Sequence, residues 1–389
     1  MNDTLMDEQS IIGTMIAERL NAQTSTTSKG RIERIKYLDG LLENSKLSQD
    51  AICEIRRTRD SLEQLEIKDA KQATEPKSAD VPEEPAEPSL QLVFHTCQRL
   101  GRVFNSSLDA GQAGGFKDRI AGMAATLQKA VAQDRSAALA AAYLDVQTTY
   151  FVQHHVQAAL LTEVLGISAG LPAEERLPLI CGALTLDLGL IDVHQQLESQ
   201  IKISEQLRAA IQLHPQKGHA KCVELGVDDD VWLDVMLCHH ERLDGSGYPR
   251  QLKEDQLSVG MRVVAIADSY SAMIRHRPYR KAFNGKDALR EMYLMKGKLD
   301  IGLIQLLVRG LSLYPPGSIV RLAEGEVGVV VRSTNNALCP VVYSFLNRGG
   351  MPMADPQRRD VGLPKYAIKN IEPLANYKLN ITGLLKLWK

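Results

Sequence analysis

Beyond residue 88, apolar residues recur at helical spacing for about 220 residues, and the pattern then changes to short strands. Alanine-rich stretches such as residues 137–143 are strong helix formers, and almost no alternation of apolar and polar residues interrupts them. After the Tyr-Pro-Pro-Gly sequence at 314–317, valine-rich runs alternate with turn residues such as Gly325 and Gly349. The sequence therefore predicts a mainly α protein, with an all-helical core over 89–313 and a small β-rich C-terminal subdomain over 314–389.

A proline-rich acidic stretch separates this core from the N-terminal part of the chain. Residues 72–88 contain four prolines among acidic and small residues and show no apolar periodicity, which is typical of a semi-extended linker. Residues 1–71 contain three segments with apolar residues at helical spacing. We therefore predict an N-terminal helical region over 1–71. Its role is either regulation or interaction with a partner, or only the burial of its own apolar stripes.

Composition excludes several classes of protein. A formal net charge of −1 gives no basic field that would attract nucleic acid or an acidic membrane. The six cysteines are scattered without a CxxC pair, which is typical of reduced thiols rather than of a secreted disulfide framework. The first residues lack the pattern of a signal peptide, and no run of 18 apolar residues occurs. We expect a cytoplasmic protein with no membrane insertion and no nucleic-acid partner.

Residues that carry chemistry concentrate in the helical core. Eight of the nine histidines lie between residues 154 and 276. His239 continues the helical stripe of Trp232 and Met236 and is predicted to face inward, where an imidazole without a metal or hydrogen-bond partner is costly. Asp268 ends an apolar run, so it is either a salt-bridged core acid or a ligand.

The pair His239 and His240 directly precedes the sequence Glu-Arg-Leu-Asp-Gly-Ser-Gly-Tyr-Pro. Adjacent imidazoles at a helix end bind metals or phosphate groups, whereas an isolated pair is more often a solvated helix end before a turn. Gly245 and Gly247 are predicted to take positive φ, which allows the loop backbone to approach a ligand closely.

The whole pattern, HHExxDGxGYP, resembles the defining motif of the HD-GYP family, bacterial metal-dependent phosphohydrolases that open cyclic di-GMP. The resemblance extends from about residue 150 to about 310. It places the family's first metal histidine at His154, its histidine-proline motif at His214, and the aspartate of its last motif at Asp268. The HDxGK motif that names the family is degenerate: residues 186–190 read Leu-Asp-Leu-Gly-Leu, so only Asp187 and the glycine remain.

The resemblance implies a centre that holds divalent metal of the iron or manganese type, with two ions when it is loaded. Asp187 is the implied catalytic residue, because an aspartate at this position bridges the two ions in the family. The implied metal ligands are His154, Asp187, His214, His239, His240 and Asp268. The implied substrate-binding residues are Arg277, Arg280, Gly245, Gly247, Tyr248 and Pro249.

Leu186 and Leu190 remove an imidazole ligand and a cation that would stabilise charge on a phosphoryl group. We therefore favour a cyclic di-GMP signalling protein whose metal-binding domain has weak or absent phosphodiesterase activity. Such a domain acts by binding a cyclic dinucleotide or a partner, for example a diguanylate cyclase or another signalling protein. The alternatives are an active phosphodiesterase that yields pGpG or GMP and a hydrolase of another phosphoester. The sequence leaves a homodimer open.

Overall fold

The computed structural model describes residues 35–36, 38–39, 59, 87–106, 115–145, 147–200, 202–275, 282–334, 336–377 and 381–388. The chain divides into two compact units, Met1–Pro85 and Ala86–Lys389. The described positions of the first unit are helical. The three helices expected over 1–71 lie almost entirely outside the described residues, as does the linker up to residue 86. The helical region over 1–71 and the linker over 72–88 therefore stay predictions.

The second unit begins with helices, which are α1 (Ser89–Asn105), α2 (Phe116–Leu144), α3 (Tyr150–Ser168), α4 (Ala173–Thr185), α5 (His194–Ser199), α6 (Glu205–Glu224), α7 (Asp230–Cys238), α8 (Val259–Met273), α9 (Gly285–Leu294) and α10 (Ile301–Leu311). Side-chain oxygens cap many of their first turns, and each such cap contributes about 1 kcal/mol. The capping residues are Thr149, Ser204, Asp229, Ser258, Asn284 and Asp300. No helix within the described residues is long and apolar enough to cross a membrane.

Helix α3 lies at the centre of the bundle and packs against α1, α2, α4, α8 and α10. Because it is covered on every side, its polar side chains are buried with its apolar ones. Glu163, for example, forms a bidentate ion pair with Arg176 at 2.8 and 2.9 Å. Two adjacent histidines, His154 and His155, are also fully enclosed on this helix. Their burial requires partners, and these partners define the candidate site.

The C-terminal tail is a five-stranded antiparallel sheet in the order β4-β3-β2-β1-β5. Its strands are β1 (Ile319–Leu322), β2 (Val327–Arg332), β3 (Val341–Leu346), β4 (Pro352–Arg359) and β5 (Ile368–Glu372), and a short helix α11 (Ile381–Leu384) follows them. One face, with Val329 and Phe345, joins the helical core, whereas the other, with Val320 and Val342, forms a separate small core. The predicted fold class, a helical core followed by a small β-rich tail, is confirmed.

Candidate metal centre

His214 is oriented by the proline that follows it. Pro215 lies inside α6 and has no backbone N–H, so the carbonyl of Ile211 lacks its usual helical donor from that position. The Nδ1 atom of His214 lies 2.6 Å from that carbonyl oxygen. Since a carbonyl only accepts, Nδ1 carries a proton and Nε2 is directed into the bundle, where it presents a lone pair whenever the ring is neutral. The histidine-proline pair therefore fixes both the tautomer and the direction of the ring.

His239 is oriented in the same way at the end of α7. Its Nδ1 donates to the carbonyl of Met236 at 2.6 Å, one of the carbonyls that a helix end leaves free. Its Nε2 atom lies 3.0 Å from Nε2 of His214. His240 completes the group, and a ligand nitrogen from each of the three rings lies within 4.8 Å of the other two. His239 is fully buried, as the stripe on α7 predicted.

Asp187 lies beside these rings because two glycines allow its turn to pack tightly on α6. A Cβ atom on Gly189 would lie 2.2 Å from the carbonyl oxygen of His214, and the nearest atom to a Cβ on Gly218 would be the Gly189 nitrogen at 3.2 Å. This close approach brings Oδ1 of Asp187 to 3.2 Å from Nε2 of His214. Oδ2 lies on the other side, 3.6 Å from Nε2 of His154. The carboxylate therefore spans two groups of donors.

His154 and Asp268 form the second group. Nε2 of His154 lies 3.1 Å from Oδ1 of Asp268, which is on α8. Ser271, one turn further along α8, donates its hydroxyl to the carbonyl of His154 and accepts from Nδ1 of the same residue, both at 3.1 Å. This reciprocal pair holds the ring in place and turns its Nε2 toward the carboxylates, at hydrogen-bond distance from Asp268. Asp268 is thus a partnered buried acid.

The charges of the site are set by burial and by mutual contact. Burial alone would raise the pKa of Asp187, but the hydrogen bond from His214 holds that pKa well below its usual range. Burial likewise opposes the charged form of His214, yet Asp187 raises its pKa. Burial lowers the pKa of His239 to about 4 and holds that of His240 well below its usual range. The site therefore combines ionised Asp187 with the neutral imidazoles of His239 and His240 and with a proton on His214 that Asp187 stabilises. A metal ion would displace that proton, because imidazole ligands bind metal in the neutral form.

The loop after the histidine pair is held by Glu241. This buried carboxylate accepts hydrogen bonds from the backbone N–H of Arg250 at 2.6 Å and of Leu252 at 3.0 Å. The loop returns over the site, so that the ring of Tyr248 lies against His240 with a centroid distance of 4.7 Å. Burial also raises the pKa of the Tyr248 phenol, so that it stays protonated. Pro249 follows through a cis peptide bond.

The two glycines of the loop have different reasons for being glycine. Gly245 has φ of 77°, as predicted. The prediction of positive φ for Gly247 is wrong: it is not among the positive-φ residues, and its constraint is space. A Cβ atom at Gly247 would lie 2.4 Å from the Cα of Glu241 and from the nitrogen of Arg242. The loop therefore folds back on the histidine pair through a contact that only glycine permits.

The two degenerate motif positions, Leu186 and Leu190, lie among apolar side chains. Leu186 is completely buried in a cluster with Ala158, Val235 and Val264. Leu190 is also buried among apolar residues. Neither side chain offers a donor to the site. Arg277 and Arg280, the predicted phosphate-binding pair, lie outside the described residues, so their placement stays a prediction.

Sequence reasoning missed two residues that touch the site, Ser271 and His155. Ser271 lies three positions after Asp268 and hence on the same face of α8, a spacing that was available as a signal. His155 is not among the residues that the sequence predicted for the site, yet its Nε2 accepts a hydrogen bond from the backbone N–H of Asp187 at 3.1 Å. Burial lowers the pKa of His155 to about 4, which keeps the ring neutral.

Comparison with known proteins agrees with this arrangement. Residues 123–303 match the family model described as HD domain. The chain is 29% identical over 270 residues to a cyclic di-GMP phosphodiesterase of Pseudomonas aeruginosa, with 67% of this chain and 64% of the relative aligned. It is 26% identical over 207 residues to the cyclic di-GMP phosphodiesterase PdeB of Borreliella burgdorferi, with 52% and 54% aligned. It is 29% identical over 181 residues to the 3'3'-cGAMP-specific phosphodiesterase 1 of Vibrio cholerae, with 46% and 42% aligned.

The helical fold, the converging histidines and carboxylates, and the family match define an HD domain. Together with the HHExxDGxGYP loop and the cyclic di-GMP phosphodiesterases among its relatives, they identify it as a domain of the HD-GYP type. The aligned part spans 64% of the first of these relatives and 54% of the second. The comparisons therefore identify the domain and do not show the activity of the whole protein.

Proposed function

We propose that this chain is a metal-binding cyclic dinucleotide signalling protein with weak or absent phosphodiesterase activity. The observation that carries the proposal is the 3.0 Å separation of the Nε2 atoms of His214 and His239. Both rings donate through Nδ1 to helix carbonyls, so both direct a lone pair at the same point. Two lone pairs at this distance repel each other unless a cation lies with them. In the metal-free protein, a proton on Nε2 of His214 lies between the two nitrogens and removes this repulsion. A metal ion would replace that proton.

The donor set also fits a metal by its chemistry. Imidazole nitrogens and carboxylate oxygens suit divalent iron, manganese and related ions. His240 and Oδ1 of Asp187 lie beside the two facing nitrogens. We infer that His214, His239, His240 and Asp187 hold one ion in a complete set of four ligands.

We infer a second and weaker position on the other side of Asp187. Here Oδ2 of Asp187 lies near His154 and Asp268, and these three residues supply the donors. The family's additional imidazole would come from position 186, where the apolar cluster encloses a leucine. Three ligands without that histidine bind a second ion less tightly. The expected pattern is therefore one firmly held ion and one that dissociates easily.

In two-metal phosphodiesterases the ions supply a nucleophile at neutral pH and stabilise charge on the phosphoryl oxygens. This chain's own residues orient the site: the helix carbonyls and Ser271 fix the imidazoles, and Asp187 reaches both halves. The position of the family's motif lysine is the buried Leu190, which offers no hydrogen-bond donor. Removal of one such donor from an oxyanion site costs about 2.7–4 kcal/mol, or about 10²- to 10³-fold in rate.

The proposed ligand is a cyclic dinucleotide, because the relatives named above act on cyclic di-GMP or 3'3'-cGAMP. Tyr248 lies against His240, and with the adjacent Pro249 it would provide a surface for a base or ribose. We propose that Arg277 and Arg280 neutralise the phosphate oxygens, since guanidinium groups match their geometry. We also propose that residues 1–71 regulate the domain or bind a signalling partner such as a diguanylate cyclase, and that the protein is cytoplasmic.

An active phosphodiesterase is the second candidate, because six ligand positions of the family pattern are retained. Retention is informative, since buried imidazoles and carboxylates without partners would be costly. The two candidates predict the same tightly bound ion and differ only in turnover. A hydrolase of another phosphoester would share the metal and differ in substrate.

The test combines elemental analysis of protein purified without oxygen with turnover assays on the same sample. We expect about one tightly bound iron or manganese ion per chain, retained cyclic di-GMP binding and slow or undetectable turnover. Turnover that His239→Ala abolishes and His219→Ala preserves would establish the active phosphodiesterase. Protein that binds neither iron nor manganese at micromolar free concentration would overturn the metal-binding proposal itself. Cyclic di-GMP, 3'3'-cGAMP and a simple aryl phosphodiester, assayed in parallel, identify the substrate class.

A further inference from the structure

His155 uses both of its ring nitrogens within the protein. Its Nδ1 lies 2.6 Å from the carbonyl oxygen of Phe151, to which it donates. Its Nε2 therefore carries a lone pair, and it accepts from the backbone N–H of Asp187 at 3.1 Å. The adjacent His154, by contrast, directs its free Nε2 at the carboxylates. Two consecutive histidines on one helix thus have different tasks, and His155 has no free nitrogen for a metal.

The ring of His155 is enclosed by aromatic side chains. Phe104 and Phe151 meet it edge to face, with centroid distances of 5.3 and 4.5 Å. The residue has no exposed surface. A ring packed in this way has one orientation, so the position of its Nε2 atom is set by the packing of α1 against α3.

The backbone of Asp187 needs such an acceptor because helix geometry ends just before it. Helix α4 ends at Thr185, and the single 3₁₀ turn Leu188–Leu190 follows Asp187. The N–H of Asp187 leaves the helical pattern at this break and is buried, so without His155 it would be an unsatisfied donor that costs about 1–3 kcal/mol. Asp187 is consequently held at two points, by His155 at its N–H and by His214 at its carboxylate.

We propose that His155 is a positioning residue that holds Asp187 between the two groups of metal donors and thereby sets the affinity for metal. The proposal rests on the proposed function, since it assumes that Asp187 is a ligand. The proposed effect on metal affinity depends on one atom, the acceptor Nε2 of His155. The contact of Nδ1 with Phe151 is not required, because the Phe151 carbonyl keeps its helical donor from residue 155.

The test compares two substitutions of similar polarity and different reach. The side-chain oxygen in His155→Gln extends to the region of Nε2 and restores an acceptor for Asp187. His155→Asn is shorter and leaves that N–H without one. Manganese(II) is titrated into metal-free protein and the free ion is followed by its electron paramagnetic resonance signal. We expect His155→Asn to weaken binding about 10- to 100-fold and His155→Gln to stay within about threefold of the unmodified protein.

Amide exchange on the metal-free proteins separates this proposal from the proposed function. Faster exchange of the Asp187 N–H in His155→Asn than in His155→Gln supports the hydrogen bond even if the unmodified protein binds no manganese, a result that would overturn the metal-binding function alone. Equal loss of thermal stability in both variants, with manganese affinity per folded molecule unchanged, would overturn the positioning role. Should His155→Asn not fold, histidine ¹⁵N shifts of the unmodified protein still decide: a His155 ring protonated at Nε2 contradicts the proposal.

Discussion

The buried carboxylate of Glu241 gives a sharp prediction about the loop that covers the site. Its two oxygens accept from the backbone N–H groups of Arg250 and Leu252, at 2.6 and 3.0 Å. Glu241→Gln keeps nearly the same shape but replaces one oxygen with an NH₂ group. One of the two backbone donors then faces another donor, and the remaining hydrogen bond is no longer assisted by charge.

The size of the effect follows from these two bonds. A hydrogen bond to a charged group contributes about 1.5–3 kcal/mol, and one to a neutral group about 0.5–1.5 kcal/mol. The loss of the first bond and the weakening of the second destabilise the closed loop by about 2–4 kcal/mol. This value is what remains after subtracting the smaller cost of burying a neutral amide in place of a carboxylate. The loss is local, because the bonds join two parts of one loop. At about 1.4 kcal/mol per factor of ten, it increases loop opening by roughly 30- to 700-fold.

Hydrogen exchange measured by mass spectrometry on peptides that contain residues 248–252 reads this opening directly. The matched control is Glu254→Gln, which removes the same charge from an exposed position of the same loop. We expect fast exchange only in Glu241→Gln, together with a weaker contact of Tyr248 on His240. Equal protection in the two variants would show that the carboxylate does not hold the loop.

Three shorter predictions concern the site itself. Gly247→Ala places a methyl group 2.4 Å from loop backbone and should displace the loop and weaken cyclic di-GMP binding, whereas Gly101→Ala, with 3.6 Å to its nearest neighbour, should not; calorimetric titration compares them. His214→Ala should abolish the tightly held manganese and His219→Ala on the same helix should leave it, a contrast that equilibrium dialysis measures. Leu186→His should lower the melting temperature of metal-free protein, because it buries a polar ring in an apolar cluster, and should raise bound manganese above one ion per chain. Unchanged stoichiometry would contradict the account of the degenerate motif.

Much of this arrangement was predictable from local patterns. The helical core and the β-rich tail followed from the spacing of apolar residues, because that spacing depends only on the period of each structure. The burial of His239 and Asp268 followed from the apolar residues around them. The conformation of Gly247 did not, since its constraint is a contact with Glu241 and not its own dihedral angles. The roles of the metal ligands stay predictions.

The sequence by itself determined which elements form and which kinds of donor they carry. Only the tertiary structure decided how those donors are used. His154 and Ser271 are 117 residues apart, and His155 meets Asp187 across 32 residues. Two neighbouring histidines look alike in sequence, but one turns its free nitrogen to the carboxylates and the other to a backbone N–H. That difference arises because helices α1, α4 and α8 pack on different sides of α3, and packing between distant segments has no local signature in the chain.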